Sequence, residues 1–258
     1  FQWRIKYAEK LSHFFDFLEK FPYLGLEHEL GAEIRKAVTK FPQCNLENRI
    51  GYKARSRSAN VKISADMYPP DPALVKIPEG RFNHFGQRVF YLANSEQGAA
   101  KEALESPGEV WLQKFQIIRA TKILDLTFDP VEEAAARGDL LAVGLLYGRE
   151  LSTLVEREKG WKPEYFVPRF IADCARNEGF NGIRYKSSRF HLENLVLFSW
   201  DDSLITPQGP PYIFGIGKEF FDGSMYQVRN LLTKFDEKYK DILLPFVGPF
   251  LPGLEPKA

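Results

Sequence analysis

The stretch from Pro78 to Glu102, PEGRFNHFGQRVFYLANSEQGAAKE, permits one order of local structure: a loop, a strand, then the first turns of a helix. Gly80 and Gly86 punctuate the loop, and Arg88 to Leu92 is a short run of β-branched and aromatic residues. Asn94 and Ser95 form a capping pair, and Gly98, Ala99 and Ala100 then open the helix with small side chains. Small residues let that helix lie close against the strand, which predicts that Arg81, Tyr91 and Glu102 converge on one cleft. A guanidinium, a phenol and a carboxylate brought together suit a ligand that bears phosphate and ribose.

The rest of the chain must supply a core for this unit. Its 258 residues, 44% hydrophobic and 27% charged, fit one large domain or one domain with extensions. A net charge of +1 argues against a surface built for general nucleic-acid or membrane binding, so neither is expected as a partner. Cys44 and Cys174 lie far apart and outside any metal-spaced pair. That is the usage of a reducing, cytoplasmic compartment, with no metal site expected. No stretch is apolar enough to span a membrane, and no signal-peptide pattern opens the sequence.

Taken in order, residues 1–48 read as a helical extension. Leu11, Phe14, Phe15 and Leu18 recur at helical spacing until Pro22, and Leu30, Ile34, Ala37, Val38 and Phe41 form a second stripe ending before Pro42. Tyr52 to Ile63 reads as a strand running into a proline-rich loop that leads to Arg81. Val110 to Ile118 and Lys122 to Leu126 read as two strands, and Asp129-Pro130 opens a helical segment reaching Glu158. Tyr165 to Asn177 is an amphipathic helix stopped by Gly179, with Phe166, Phe170, Ile171 and Cys174 on its apolar stripe. Ile183 to Tyr185 and Leu195 to Trp200 are strands, and Pro207 to Gly217 reads as a linker. Glu219 to Leu244 is mostly helical, and the apolar, proline-broken Phe246 to Leu254 is expected to pack on this chain or on a second copy in a homodimer. Strands and helices mix without βαβ alternation, so the fold class is α+β.

Other motifs are thin. The arginine–histidine spacing from Arg184 to His191 crosses a strand and a loop, not a helix. There is no nucleophile elbow, no phosphate-cradling loop and no cluster of metal ligands. Taken singly, Arg81 would be a loop salt bridge, Tyr91 a core residue and Glu102 an exposed helix residue.

Their order changes that reading. Gly80-Arg-Phe-Asn, then Gly86, then Tyr91-Leu-Ala, with Glu102 soon after in a small-residue helix, resembles the RES domain family, the toxins of RES-type toxin–antitoxin pairs. Upstream, Gly51 to Ser56 is similar to the family's opening strand. Downstream, Gly179 to Ser188 is similar to its glycine–isoleucine–tyrosine–proline–serine segment, and Asn194 to Phe198 to its closing strand. Two departures stand out. Lys53 follows the tyrosine where the family usually has arginine, with Arg55 two residues on, and Lys186 stands where the family often has proline.

The resemblance implies an ADP-ribosyltransferase-like mixed sheet over residues 49–204, with helical extensions at 1–48 and 205–258. It implies a toxin that cleaves the nicotinamide–ribose bond of NAD by phosphorolysis or hydrolysis and is silenced by a protein antitoxin. NAD is then a substrate, with phosphate as co-substrate if the reaction is phosphorolysis, and no cofactor is permanently bound. Carried over residue by residue, Arg81 and Arg55 hold phosphate or ribose, Tyr91 orients the nucleotide and Glu102 stabilises the cationic ribose. Ser187, preferred to Ser188, hydrogen-bonds in the nicotinamide–ribose region, while Lys53, Arg57 and Asn83 are further NAD-binding candidates. A carboxylate suits a transition state of oxocarbenium character, as in glycosidases. The alternatives are ADP-ribosyl transfer to a macromolecule and a non-catalytic nucleotide-binding module. Lys53 and the terminal segments motivate the module, whereas an intact Arg81, Tyr91, Glu102 and Ser187 set favours an enzyme.

Overall fold

In the computed structural model, the structure describes residues 2–127, 162–189, 192–218 and 220–221, with side chains from residue 9 onward. The segment expected to be helical over Asp129 to Glu158 lies outside the described residues, as do the expected 219–244 helix except Phe220 and Phe221, and the apolar segment Phe246 to Leu254. The described elements run α1 Gln2–Lys20, α2 Glu29–Val38, β1 Gln43–Ser56, β2 Phe90–Ala93, α3 Glu96–Ala103 and β3 Gly108–Asp125. They continue with α4 Phe166–Asn177, β4 Gly182–Lys186, β5 Glu193–Leu197, β6 Ile205–Pro207 and β7 Tyr212–Ile216. Helices packed on a mixed sheet make the fold α+β, as expected.

The strand pairings close on themselves. β1 pairs β2, β2 pairs β5, β5 pairs β4, and β4 runs parallel to β3, which returns to β1 along most of its length. The other edge of β3 is shared in turn by β7, β6 and β4. Against expectation, the residues read as a linker after Pro207 therefore belong to the sheet. Tyr212–Ile216 pairs Gly108 to Leu112, and Pro207 itself stands opposite Phe115. The two strands expected between Val110 and Leu126 are one strand, kinked where Lys122 takes a φ of 54° and donates its N–H to Asn45 Oδ1. β1 begins at Gln43, inside the segment expected to be helical.

The first two helices do pack as their stripes predict. Phe14, Leu18, Leu30, Ile34 and Val38 are buried in one cluster with Phe170, Ile171 and Ala175 of α4 and Ile183 and Val196 of the sheet. A second cluster, Phe90, Leu92, Phe115, Ile123, Leu195 and Leu197, fills another part of the sheet. α3 sits over a third, where Ala99 and Ala100 meet Val110 and Leu112. The glycine stop of α4 is a Schellman turn: Gly179 has a φ of 75° and donates to Arg176 O, and Phe180 N donates to Ala175 O. Among the described residues no helix is long and apolar enough to cross a membrane.

Candidate active site

α3 fixes the carboxylate. Ser95 caps its N-terminus by accepting from Gly98 N at 2.9 Å, and its buried small residues press it onto the sheet. Glu102, in the last turn, then faces a cavity of about 540 Å³, within the usual range for small-molecule sites. Its Oε1 accepts from Ser187 Oγ at 2.6 Å and Asn194 Nδ2 at 2.8 Å, and its Oε2 stands 3.9 Å from Arg189 Nε. Lys53, Arg55, Arg81, Tyr91, Tyr165, Tyr185 and Ser188 complete the chemistry of the wall.

Arg81 is buried in the loop before β2, where its Nη2 donates to Ser188 Oγ at 2.8 Å and its guanidinium lies 5.7 Å from the centre of the Tyr165 ring. Tyr91 holds that loop. Its hydroxyl accepts from Phe82 N at 2.9 Å and donates to Asn83 Oδ1 at 3.0 Å, leaving the ring to face the cavity. Burial raises the Tyr91 phenol well above its ordinary pKa, so it stays a neutral hydrogen-bonding group. Asn83 in turn donates to Pro78 O and His84 O. Gly80 leaves room for this knot, since a Cβ there would fall 2.4 Å from Asn83 Oδ1 and 2.9 Å from the Tyr91 hydroxyl.

β1 contributes the remaining cations. Arg55 Nη2 donates to Tyr68 O at 2.8 Å, while its buried Nε has no hydrogen-bond partner among the described residues. Burial draws the Arg55 pKa down. It also pulls the Lys53 ammonium down to about 8, helped by neighbouring Arg55 and opposed by Glu102. Both lysine and arginine line the cavity, so Arg55 joins Lys53 without displacing it. The cavity wall thus presents Lys53, Arg55, Arg81 and Arg189 around Glu102, a surface complementary to an anion.

Of the residues expected from the sequence, Arg81, Tyr91, Glu102, Lys53 and Arg55 meet at the cavity, and Ser187 reaches it through Glu102. Asn83 stands behind Tyr91. Arg57 is not among the lining residues: β1 ends at Ser56, and the Arg57 guanidinium stacks 4.7 Å over Trp111, with Nε 3.7 Å from Glu109. The two serines divide the work, Ser187 going to Glu102 and Ser188 to Arg81. The sequence reading missed Asn194, Arg189 and Tyr165. Asn194 had a signal, an amide directly before the apolar run Leu195 to Phe198, and Arg189 directly follows the paired serines.

The family model described as RES domain matches residues 53–215, more than half of the chain. No curated protein matches. Among solved structures, a chain of the crystal structure of the M. tuberculosis MbcT–MbcA toxin–antitoxin complex aligns at 12% identity with a TM-score of 0.44. The alignment covers 74% of this chain and 96% of that one.

Proposed function

Because the chain belongs to the RES domain family, we propose that it is a toxin that cleaves the nicotinamide–ribose bond of NAD. The observation that carries this reading is Glu102, held by Ser187 and Asn194 at a cavity whose other charged residues, Lys53, Arg55, Arg81 and Arg189, are cations. NAD has a matching pattern, an anionic pyrophosphate next to a ribose that becomes cationic as nicotinamide leaves. Arg81, Arg55 and Lys53 take the pyrophosphate, the two arginines through paired N–H groups and the lysine as a point charge. Tyr91, Tyr165 and Tyr185 offer ring faces and edges to the bases and the sugar. Glu102 opposes the positive charge that grows on the ribose, while Ser187 and Asn194 fix its Oε1 and leave Oε2 turned toward Arg189. In step terms, the C1′–N bond breaks with its electron pair going to nicotinamide, and the acceptor oxygen then bonds C1′ and gives up its proton.

Purified protein mixed with NAD, with and without inorganic phosphate, tests the reading. Phosphate-dependent formation of ADP-ribose 1-phosphate marks phosphorolysis, free ADP-ribose marks hydrolysis, and label on a co-purified macromolecule marks transfer. No loss of NAD under any of these conditions refutes it. As for other members of the family, a protein antitoxin is the expected silencing partner.

A further inference from the structure

α4 carries a second stripe besides its apolar one. Arg169, Asp173 and Arg176 follow one another at i, i+4 and i+7, away from the Ile171 and Cys174 side. Such a polar face normally meets water. Here it meets the Arg81 loop. Arg169, 5% exposed, pairs its Nη1 with Glu79 Oε2 at 2.8 Å. Asp173 Oδ2 lies 2.6 Å from His84 Nε2, and its Oδ1 accepts from Arg176 Nη1 at 3.2 Å. Arg176 Nη2 donates to Phe82 O at 2.9 Å, and its guanidinium lies 4.1 Å over the Phe198 ring. The gripped positions 79, 82 and 84 bracket residue 81. Tyr165, just before α4, ties the two sides together, with the Arg81 and Arg169 guanidinium groups 5.7 and 5.8 Å from its ring centre.

We propose that Arg169, Asp173 and Arg176 are positioning residues for Arg81, setting from outside the cavity how its guanidinium meets the anionic part of the substrate. None of the three lines the cavity. They act by holding the side chains of Glu79 and His84 and the carbonyl of Phe82, on both sides of Arg81 along the chain. An arginine at position 176 can hold Asp173 and the Phe82 carbonyl together through its planar fork, which a lysine cannot do. The substrate in question rests on the NAD reading above; the positioning does not.

The decisive variant is Arg176→Lys, which keeps the charge. Its KM for NAD rises about tenfold, as expected when a binding group is displaced by a fraction of an ångström, while kcat stays close to wild type because the pyrophosphate is held equally in ground and transition states. In an Arg81→Ala background the same change has no further effect, since the two residues act through one contact. A purely structural role would instead give additive losses. Independently of any substrate, modification of Arg81 by phenylglyoxal, mapped by mass spectrometry, accelerates in Arg176→Lys and in Asp173→Asn, with the melting temperature of Asp173→Asn unchanged. Additive KM effects, or Arg81 labelling that is unchanged in both variants, overturns the proposal. If the wild type does not consume NAD, the labelling alone decides.

Discussion

At the scale of single residues, charge placement decides what the cavity can do. Glu102→Gln keeps the shape and the Ser187 and Asn194 contacts but removes the negative charge that the proposed mechanism sets against the ribose cation. NAD loss should fall by about 10²–10³ with the melting temperature unchanged; wild-type turnover in this variant would remove Glu102 from the mechanism. Lys53 gives a pH dependence of known sign. With its pKa lowered to about 8 in the folded chain, it is charged below that pH and neutral above it, so affinity for ADP-ribose falls as pH rises through 8. Stability moves the other way, because the cost of holding the ammonium is complete below pH 8 and is relieved between about 8 and the ordinary value of about 10.4. Lys53→Arg, which keeps its charge, should flatten the affinity profile in a calorimetric titration. The sequence disclosed Lys53, Arg55, Arg81 and Glu102 through its ordered motifs, though not Arg189. It could not disclose that Arg57 turns to Trp111 and Glu109, because leaving the sheet one residue earlier is a matter of three-dimensional pairing.

At the scale of elements, what was legible followed apolar periodicity. The stripes of α1, α2 and α4 stood out because each buries one face. β6 and β7 did not, since they are short and interrupted by proline or glycine, and their ladders with the edge of β3 define them even though Ile205 and Ile216 are buried. The start of β1 was hidden for a related reason. From Gln43 to Glu47 polar and apolar residues alternate only briefly before Asn48, whose φ is 50°, interrupts the pattern, so it is the ladder with β3 that defines the strand. The stop of α4, in contrast, was plain in Gly179. Gly179→Ala forces a side chain into the left-handed region and should destabilise the protein by about 1–2 kcal/mol in a denaturant titration, with the KM for NAD unchanged because Gly179 is outside the cavity wall.

For the whole molecule, the N-terminal helices belong to the core and are not a detachable arm. Phe14, Leu18, Leu30, Ile34 and Val38 are all buried against α4 and the sheet. Losing about 1.5–3 kcal/mol for each would exceed much of a typical stability of about 5–15 kcal/mol. A chain starting at Pro42 should therefore show no cooperative thermal transition by circular dichroism, and a sharp transition would show the helices to be accessory. The ring of strand pairings has its own weak point. β1 and β2 meet through the single pair Tyr52↔Ala93, whereas β5 is laddered on both sides over four and five pairs. Both residues of that narrow join line the cavity, together with Lys53 and Tyr91. A closed band should yield where it is least stitched, so if the proposed dinucleotide enters this cavity, opening is expected at this seam. Amide hydrogens of Tyr52 and Ala93 should exchange with deuterium ahead of those of Leu195 and Val196, and a bound dinucleotide spanning the join should slow the first pair alone.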